Sequence, residues 1–299
     1  MIEKFNNISN KLKSKIYFNF DIGKYTWFRT GGNAKIFIIV ENNIELEIIL
    51  NLITDEDVFI IGSGSNLLVR DYGFNGIILK LGRGFKNIKI NENKIEVGAA
   101  TADVNLSRFA QKNNIKGFEF FSGIPGSLGG AVKMNAGCYG SETKKYLDCI
   151  EVFNQKGFKK ILNKNELDLK YRSSNISNTD IISKILFNYE EGNPNEILKK
   201  MQNIQKQRIK SQPIKYKTSG STFKNPNNFY AAKLIEEAGC KGLEVGGAIV
   251  SKKHANFLIN QNKASASDLE NLGKLIINKV KNKFDIELKW EIKIIGEEN

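Results

Sequence analysis

The sequence predicts an α+β protein of three successive units, and three observations carry that expectation. Short apolar runs of strand length alternate with segments of helical periodicity. Two glycine-rich stretches break the pattern where strands end. The C-terminal segment alternates apolar and charged residues at period two. In the first unit, residues 1–84, Ile36–Val40 reads as a strand and 44–53 as a helix. Val58–Ile61 reads as a buried strand that runs into Gly62, and Leu67–Val69 and Gly76–Leu81 as further strands. In the second unit, 85–211, Ile95–Val97 reads as a strand. Thr101 is expected to cap a helix over 102–113, with Val104, Phe109 and Ala110 inward. Ile150–Phe153 and Ile181–Phe187 follow as strands, and Pro194 opens a basic helix that ends near Ser211. In the third unit, 212–299, a helix over 229–238 closes at Gly239, and Ala248–Val250 and Phe257–Asn260 are strands. A helix starting at Ser267 finds a capping-box partner in Glu270. In the closing strand, Ile286, Leu288, Trp290, Ile292 and Ile294 face one way, and Glu287, Lys289, Glu291 and Lys293 the other.

Composition excludes several classes. The chain has 299 residues, 41% of them hydrophobic and 10% aromatic, which suits a packed globular protein rather than a disordered one. No stretch approaches the roughly 20 apolar residues that a membrane span needs, and residues 1–19 lack the apolar core of a secretory signal. Three scattered cysteines, Cys138, Cys149 and Cys240, argue against a disulfide framework, and a single histidine, His254, excludes multi-histidine metal ligation. A reduced, cytoplasmic setting is therefore expected, with no metal. The net charge of +13 would suit an anionic partner, yet lysine is spread over the whole chain with asparagine and isoleucine, which reads mainly as compositional bias. The lysine-rich helix near 199–210 has no interleaved aromatics and no nucleic-acid motif, so nucleic acid is not an expected partner.

The most informative stretch runs from Gly123 to Gly140: Gly-Ile-Pro-Gly-Ser-Leu-Gly-Gly-Ala-Val-Lys-Met-Asn-Ala-Gly-Cys-Tyr-Gly. Glycine admits left-handed backbone and close approach, and consecutive N–H groups in such turns form anion-binding concavities. The stretch holds no acidic side chain to repel a phosphate. Gly62-Ser63-Gly64-Ser65-Asn66 repeats the theme upstream. Neither is a dinucleotide fingerprint or a P-loop, because Leu67-Leu68-Val69 continues as strand and no Gly-Lys-Ser/Thr triplet occurs. Two such loops point to an extended, phosphate-bearing cofactor held in some other way.

The order of motifs is more specific than any one of them. Thr26-Trp27-Phe28-Arg29-Thr30-Gly31-Gly32-Asn33-Ala34 is followed by Ile61-Gly62-Ser63-Gly64-Ser65-Asn66 and Gly123-Ile124-Pro125-Gly126-Ser127-Leu128-Gly129-Gly130 with Asn135-Ala136-Gly137. Then come Tyr171-Arg172-Ser173-Ser174, Ser219-Gly220-Ser221-Thr222-Phe223-Lys224-Asn225-Pro226 and Lys253-His254-Ala255-Asn256-Phe257. This series, from about Thr26 to Gly296, resembles the UDP-N-acetylenolpyruvoylglucosamine reductase family of bacterial peptidoglycan precursor synthesis. The resemblance implies a vanillyl-alcohol-oxidase (PCMH)-type FAD-binding fold in two α/β subdomains, 1–84 and 85–211, with an α/β substrate domain over 212–299. The short span from Pro226 to Gly239 leaves no room for a lid segment, which implies the lid-less, type II branch.

The same resemblance implies non-covalent FAD, with NADPH as electron donor and an enolpyruvyl UDP-sugar as substrate. The implied cofactor residues are Arg29, Ile61, Gly62, Ser63, Gly64, Ser65, Asn66, Gly123, Ile124, Pro125, Gly126, Ser127, Gly130, Asn135, Ala136 and Gly137. Arg172 would hold the substrate carboxylate, Ser221 would donate the proton, and Glu291 would help stabilise the intermediate. Lys224, Asn225 and His254 would contact the nucleotide-sugar. The residue types suit the chemistry: negative charge builds next to a carboxylate, which a guanidinium meets with two parallel hydrogen bonds. A different flavoenzyme of the same fold is the alternative, although a covalent histidyl flavin is disfavoured because His254 lies far from both glycine loops in sequence. A monomer is the expected state.

Overall fold

The structure is a computed structural model that describes residues 2–298, and these fall into two compact units. The first comprises the chain up to Phe18, Ile36–Ser63 and Gly76–Gln207. The second comprises Asn19–Lys35, Gly64–Asn75 and the chain from Arg208 onward.

Two sheets organise the first unit. One has four strands in the order Lys15–Asp21, Asn33–Val40, Phe74–Leu81, Val58–Ile60. Val58–Ile60 runs parallel to Phe74–Leu81, with Ile60 opposite Leu79. Ile77, Ile78 and Leu79 are all buried, so this central strand is covered on both faces and reads as an unbroken apolar run up to Lys80. The other sheet is antiparallel, in the order Lys159–Asn163, Leu147–Phe153, Ile181–Asn188, Lys94–Gly98, Ile88–Asn91. Helix Asn43–Leu52 forms because Asn42 accepts the N–H of Glu45 and because Leu46, Ile49 and Leu50 share a buried stripe. Helix Pro194–Ser211 begins at its proline as expected. One core, including Ile36, Leu46, Leu79, Val97, Leu106, Phe121, Leu128, Ile150 and Phe187, joins these elements.

The second unit is discontinuous in sequence. Helices Ala231–Glu237 and Ala266–Phe284 pack with the strands Glu244–Val245, Ala248–Val250 and Leu258–Asn260 around a separate core that includes Phe28 and Leu68 from the N-terminal third. Lys293–Ile295 pairs in parallel with Leu67–Val69. Arg70 clamps Glu270 with both arms of its guanidinium, at 2.9 and 3.1 Å, which holds the Glu270 carboxyl below its ordinary range.

Several local expectations shift. The helix expected over 102–113 is Asp103–Lys112; its N-cap is Ala102, and Thr101 makes no capping bond. The last long helix is capped by Ser265 with Asp268 rather than by Ser267 with Glu270. Helix Ala231–Glu237 starts two residues later than expected, although Gly239 does follow it at φ +73°. The segment 286–292 is not a ladder strand: its one regular partner is the bridge between Trp290 and Phe223, yet Leu288 and Ile292 are buried and Glu287 and Lys289 exposed, as the alternation requires. The N-terminal helix Ile2–Ser9 and strand Lys15–Asp21 were not anticipated.

Candidate functional site

The predicted residues divide between the two units. In the first unit, strand Val58–Ile60 delivers the chain through buried Ile61, whose N–H donates to the Leu79 carbonyl, into Gly62 and Ser63. The second glycine loop is fixed by the segment before the Asp103 helix. Ala102 bridges Ser127, the Leu128 N–H donates to the Thr101 carbonyl, and the Gly129 N–H to the Ala99 carbonyl. These ties bring the two loops into contact: a Cβ placed on Gly62 would lie 2.4 Å from Ser127 Oγ. Gly62 is therefore required by close approach. Gly62→Ala is expected to cost about 1–3 kcal/mol. Ser127→Ala in the same chain should return most of that loss, because the Ser127 Cβ is 3.6 Å away. Urea unfolding of the single and double variants measures this, and no recovery in the double variant would place the strain elsewhere.

Beneath the second loop lies a group that the sequence did not signal. A Cβ on Gly126 would fall 2.4 Å from Asp103 Oδ2, and Asp103 is fully buried with neither carboxylate oxygen hydrogen-bonded. The expectation of no carboxylate near the glycine loop thus holds along the chain and fails in space. Burial pushes the Asp103 carboxyl well above the ordinary aspartate range, which favours its neutral form and lessens repulsion of an anion. The folded state then keeps a proton that an unfolded aspartate releases near pH 4, and stability falls as pH rises above that value. Asp103→Asn fixes the neutral form. It should stabilise the protein by about 1–3 kcal/mol at pH 8 and by much less at pH 4.5, as urea midpoints at the two pH values would show; an equal gain at both would exclude the buried titration.

Further along, Asn135 (φ +39°) knits the loop end together. Its amide donates to Glu142 Oε2 at 2.9 Å and to the Lys170 carbonyl at 3.2 Å, while its Oδ1 accepts the Lys144 N–H at 3.0 Å. The Ala136 N–H donates to the Ala131 carbonyl. Arg172 (φ +54°) donates from Nη2 to the Gly137 carbonyl at 3.0 Å, and its guanidinium lies 5.0 Å from the Tyr171 ring centroid. The first unit therefore gathers Gly123–Ser127, Gly130, Asn135–Gly137 and Arg172 into one loop system. Two left-handed non-glycine residues in it are a mark of backbone held in place for use.

In the second unit, the Trp27 N–H donates to the Gly64 carbonyl, and Gly64 (φ +67°) is pressed against Tyr25, whose carbonyl oxygen would be 2.2 Å from a Cβ. Exposed Arg29 (φ +56°) donates from its guanidinium to the Lys24 carbonyl. Asn66 donates its amide to the Glu291 carbonyl at 3.0 Å, and the Lys293 N–H donates to the Asn66 carbonyl at 3.0 Å. Residues 221–224 lie beside 289–291: the Glu291 N–H donates to the Thr222 carbonyl at 2.8 Å and the Lys224 N–H to the Lys289 carbonyl at 2.9 Å. Asn256 holds the other edge, donating to the Phe223 carbonyl and accepting the Phe223 N–H. Ser221, Lys224 and Glu291 thus share one backbone framework. The 4.9 Å Phe223–Trp290 ring contact and the tight seat of Trp290 against Gly273 fix its register.

His254 reaches the same framework through its turn, with Nδ1 accepting the Asn256 N–H at 3.3 Å and its ring edge-on to Phe257 at 4.6 Å. Burial pushes its imidazole below the ordinary value, so it is neutral. Asn225 uses Oδ1 to accept the Ala231 N–H at the head of helix Ala231–Glu237. Among the described residues there is no cluster of three metal-ligating side chains, and no helix is long and apolar enough to cross a membrane.

The first-unit loops fit an extended anionic cofactor. Gly62, Gly123 and Gly126 lie tight against neighbouring side chains, and the buried hydroxyl oxygens of Thr101, Ser107 and Ser122 have no hydrogen-bond partner. Burial favours the neutral form of the acid under the loop, and a lysine, Lys80, donates to the Gly62 carbonyl. Lys80 was also missed by sequence reasoning, although a cation interrupting the run Ile77-Ile78-Leu79 was the available signal.

The comparisons with known proteins agree. Residues 34–158 match the family model "FAD binding domain", and residues 212–295 match "UDP-N-acetylenolpyruvoylglucosamine reductase, C-terminal domain". The chain is 41% identical over 279 residues to the UDP-N-acetylenolpyruvoylglucosamine reductase of Rickettsia rickettsii (strain Sheila Smith), covering 93% of this chain and 95% of that one. It is 42% identical over 287 residues to the enzyme of the same name from Parvibaculum lavamentivorans, covering 96% and 93%. The crystal structure of the UDP-N-acetylenolpyruvylglucosamine reductase of Thermus caldophilus superposes with a TM-score of 0.82 at 32% identity, covering 95% of this chain and 99% of that one.

Proposed function

The chain belongs to the UDP-N-acetylenolpyruvoylglucosamine reductase family, and on that premise we propose that it reduces the enolpyruvyl group of UDP-N-acetylglucosamine enolpyruvate to give UDP-N-acetylmuramate for peptidoglycan synthesis, using FAD and NADPH. The observation that carries the reading is the contact of the two glycine loops at Gly62 and Ser127, with Arg172 bonded to Gly137 at the end of the same loop system. Bound FAD, reduced by NADPH, supplies the hydride that saturates the enolpyruvyl double bond.

The chain's own residues bind, orient and move the proton. The backbone N–H groups of 62–66 and those of the 123–130 loop not already tied back, as Leu128 and Gly129 are to Thr101 and Ala99, would hold the cofactor diphosphate, with Arg29, Ile61 and Asn135–Gly137 as further contacts. Arg172 grips the substrate carboxylate through its planar fork and stabilises charge that spreads into it. Ser221 gives its hydroxyl proton to the carbon that carries that charge. Glu291 stabilises the same charge redistribution, and its backbone bond to Thr222 supports a shared station with Ser221. Lys224 meets a phosphate of the nucleotide-sugar. His254 contributes as a neutral hydrogen-bonding group. Asn225 contributes as a donor, since Oδ1 is committed to Ala231. Segments 1–84 and 85–211 act as FAD-binding subdomains and 212–299 as the substrate domain; the family model over 212–295 supports the last boundary. The enzyme works as a cytoplasmic monomer, in keeping with three scattered cysteines of which Cys149 and Cys240 are buried.

An absorbance spectrum of the purified protein tests the reading. A flavin spectrum that bleaches with NADPH and returns on adding the enolpyruvyl UDP-sugar is the expected result. Colourless protein that takes up no added FAD would overturn it.

A further inference from the structure

Lys80 lies one residue past Leu79, the residue paired with Ile60, and so stands level with the exit of strand Val58–Ile60 into the first glycine loop. It is half-buried between buried Leu79 and Leu81, and its ammonium donates to the Gly62 carbonyl. Gly62 is the residue that touches Ser127 of the second loop. A cation therefore stands where the two loops meet.

Among the described residues no carboxylate pairs with it, and the charged group that bears on Lys80 is another cation, Lys86, on the exposed turn after Phe85. Burial and Lys86 together pull the Lys80 ammonium down to about 8. A half-buried cation that faces only like charge is costly unless an anion completes the site. An ammonium has three donors, and the Gly62 carbonyl takes one.

We infer that Lys80 is the counter-charge for the cofactor diphosphate, placed by the Gly62 carbonyl at the meeting point of the two glycine loops. The inference rests on the FAD reading above. It separates charge from mere loop support, because a neutral amine still donates to the Gly62 carbonyl. Loop support alone leaves FAD affinity unchanged as Lys80 loses its proton, whereas a counter-charge does not. An anion bound beside Lys80 holds the proton on it, so affinity is full below pH 8 and falls as pH rises above that value.

The test is FAD titration of flavin-free protein, followed by flavin fluorescence, for wild type, Lys80→Met and Lys80→Arg at pH 7, 8 and 9. Wild-type Kd should rise about tenfold from pH 7 to pH 9, as loss of one linked proton from a group that titrates at about 8 requires. Lys80→Met should bind about 10- to 100-fold more weakly at pH 7, as loss of a charge-assisted contact implies, and with no pH dependence. Lys80→Arg should keep a flat profile, because a guanidinium stays charged throughout. A flat wild-type profile, a wild-type slope retained in Lys80→Arg, or wild-type affinity in Lys80→Met would each overturn the role of Lys80. Failure of the wild-type protein to bind FAD at any pH would instead overturn the cofactor reading.

Discussion

Ser221→Ala is expected to leave reduction of the bound flavin by NADPH within about twofold of wild type, and to slow reoxidation by the enolpyruvyl substrate by on the order of 10²–10⁴-fold, the usual contribution of a general acid. The substitution removes one oxygen from a backbone that other residues hold. Next to it, Thr222 donates its N–H to the Asn256 carbonyl at 2.8 Å, accepts the Glu291 N–H, and takes the Leu258 N–H on Oγ1 at 3.3 Å. Gly220 before it has φ +78° and no neighbour within 4 Å of a Cβ position, so the serine sits at an open bend on a pinned segment. A loss confined to the second half-reaction therefore reports the hydroxyl and not a collapsed loop. Stopped-flow absorbance separates the two halves, and equal slowing of both would remove Ser221 as the proton donor.

Arg172→Lys should also be severe, with kcat/KM lower by on the order of 10²–10³-fold. The charge survives the change, but the fork does not, and a lysine cannot make two parallel bonds to one carboxylate while also reaching the Gly137 carbonyl. The residue sits at φ +54°, where either side chain is equally strained, so the backbone term cancels in the comparison. Steady-state kinetics with the flavin spectrum as a control would check it. Turnover near wild type would take Arg172 out of the reaction.

The loops were legible because glycine is legible. Gly62 and Gly126 are required by neighbours 2.4 Å from where a Cβ would be, and a close approach of that kind leaves a small residue in the sequence. Apolar runs and periodicity located the strand read at 150–153, which extends back to Leu147, and the helix read at 44–53, which is Asn43–Leu52. Less was visible where two local solutions were equally good. Ser265 with Asp268 and Ser267 with Glu270 both make plausible capping boxes, and tertiary contacts chose between them. Arg70 takes Glu270, and Asp71 accepts both the Ser267 hydroxyl at 2.7 Å and the Ser267 N–H at 2.8 Å. The alternation of 286–292 gave the right faces but the wrong element, since a period of two marks extended backbone whether or not a partner strand runs beside it. Asp103 and Lys80 were missed for one reason. A charged residue in a helix's first turn or near a strand's end looks solvated in sequence, and only the fold reveals that each is enclosed beside a glycine loop.

Within the second unit, the amide of Asn66 reaches the carbonyl of Glu291 across 225 residues of chain, and the parallel pairing of Leu67–Val69 with Lys293–Ile295 depends on the same long return. Contacts of such separation are slow to form, because loop-closure entropy is lost before they contribute anything. The station proposed for proton donation is therefore a late product of refolding: after dilution from denaturant, helical signal should recover well before the neighbourhood of Ser221 is complete, and recovery of turnover should track the slowest phase.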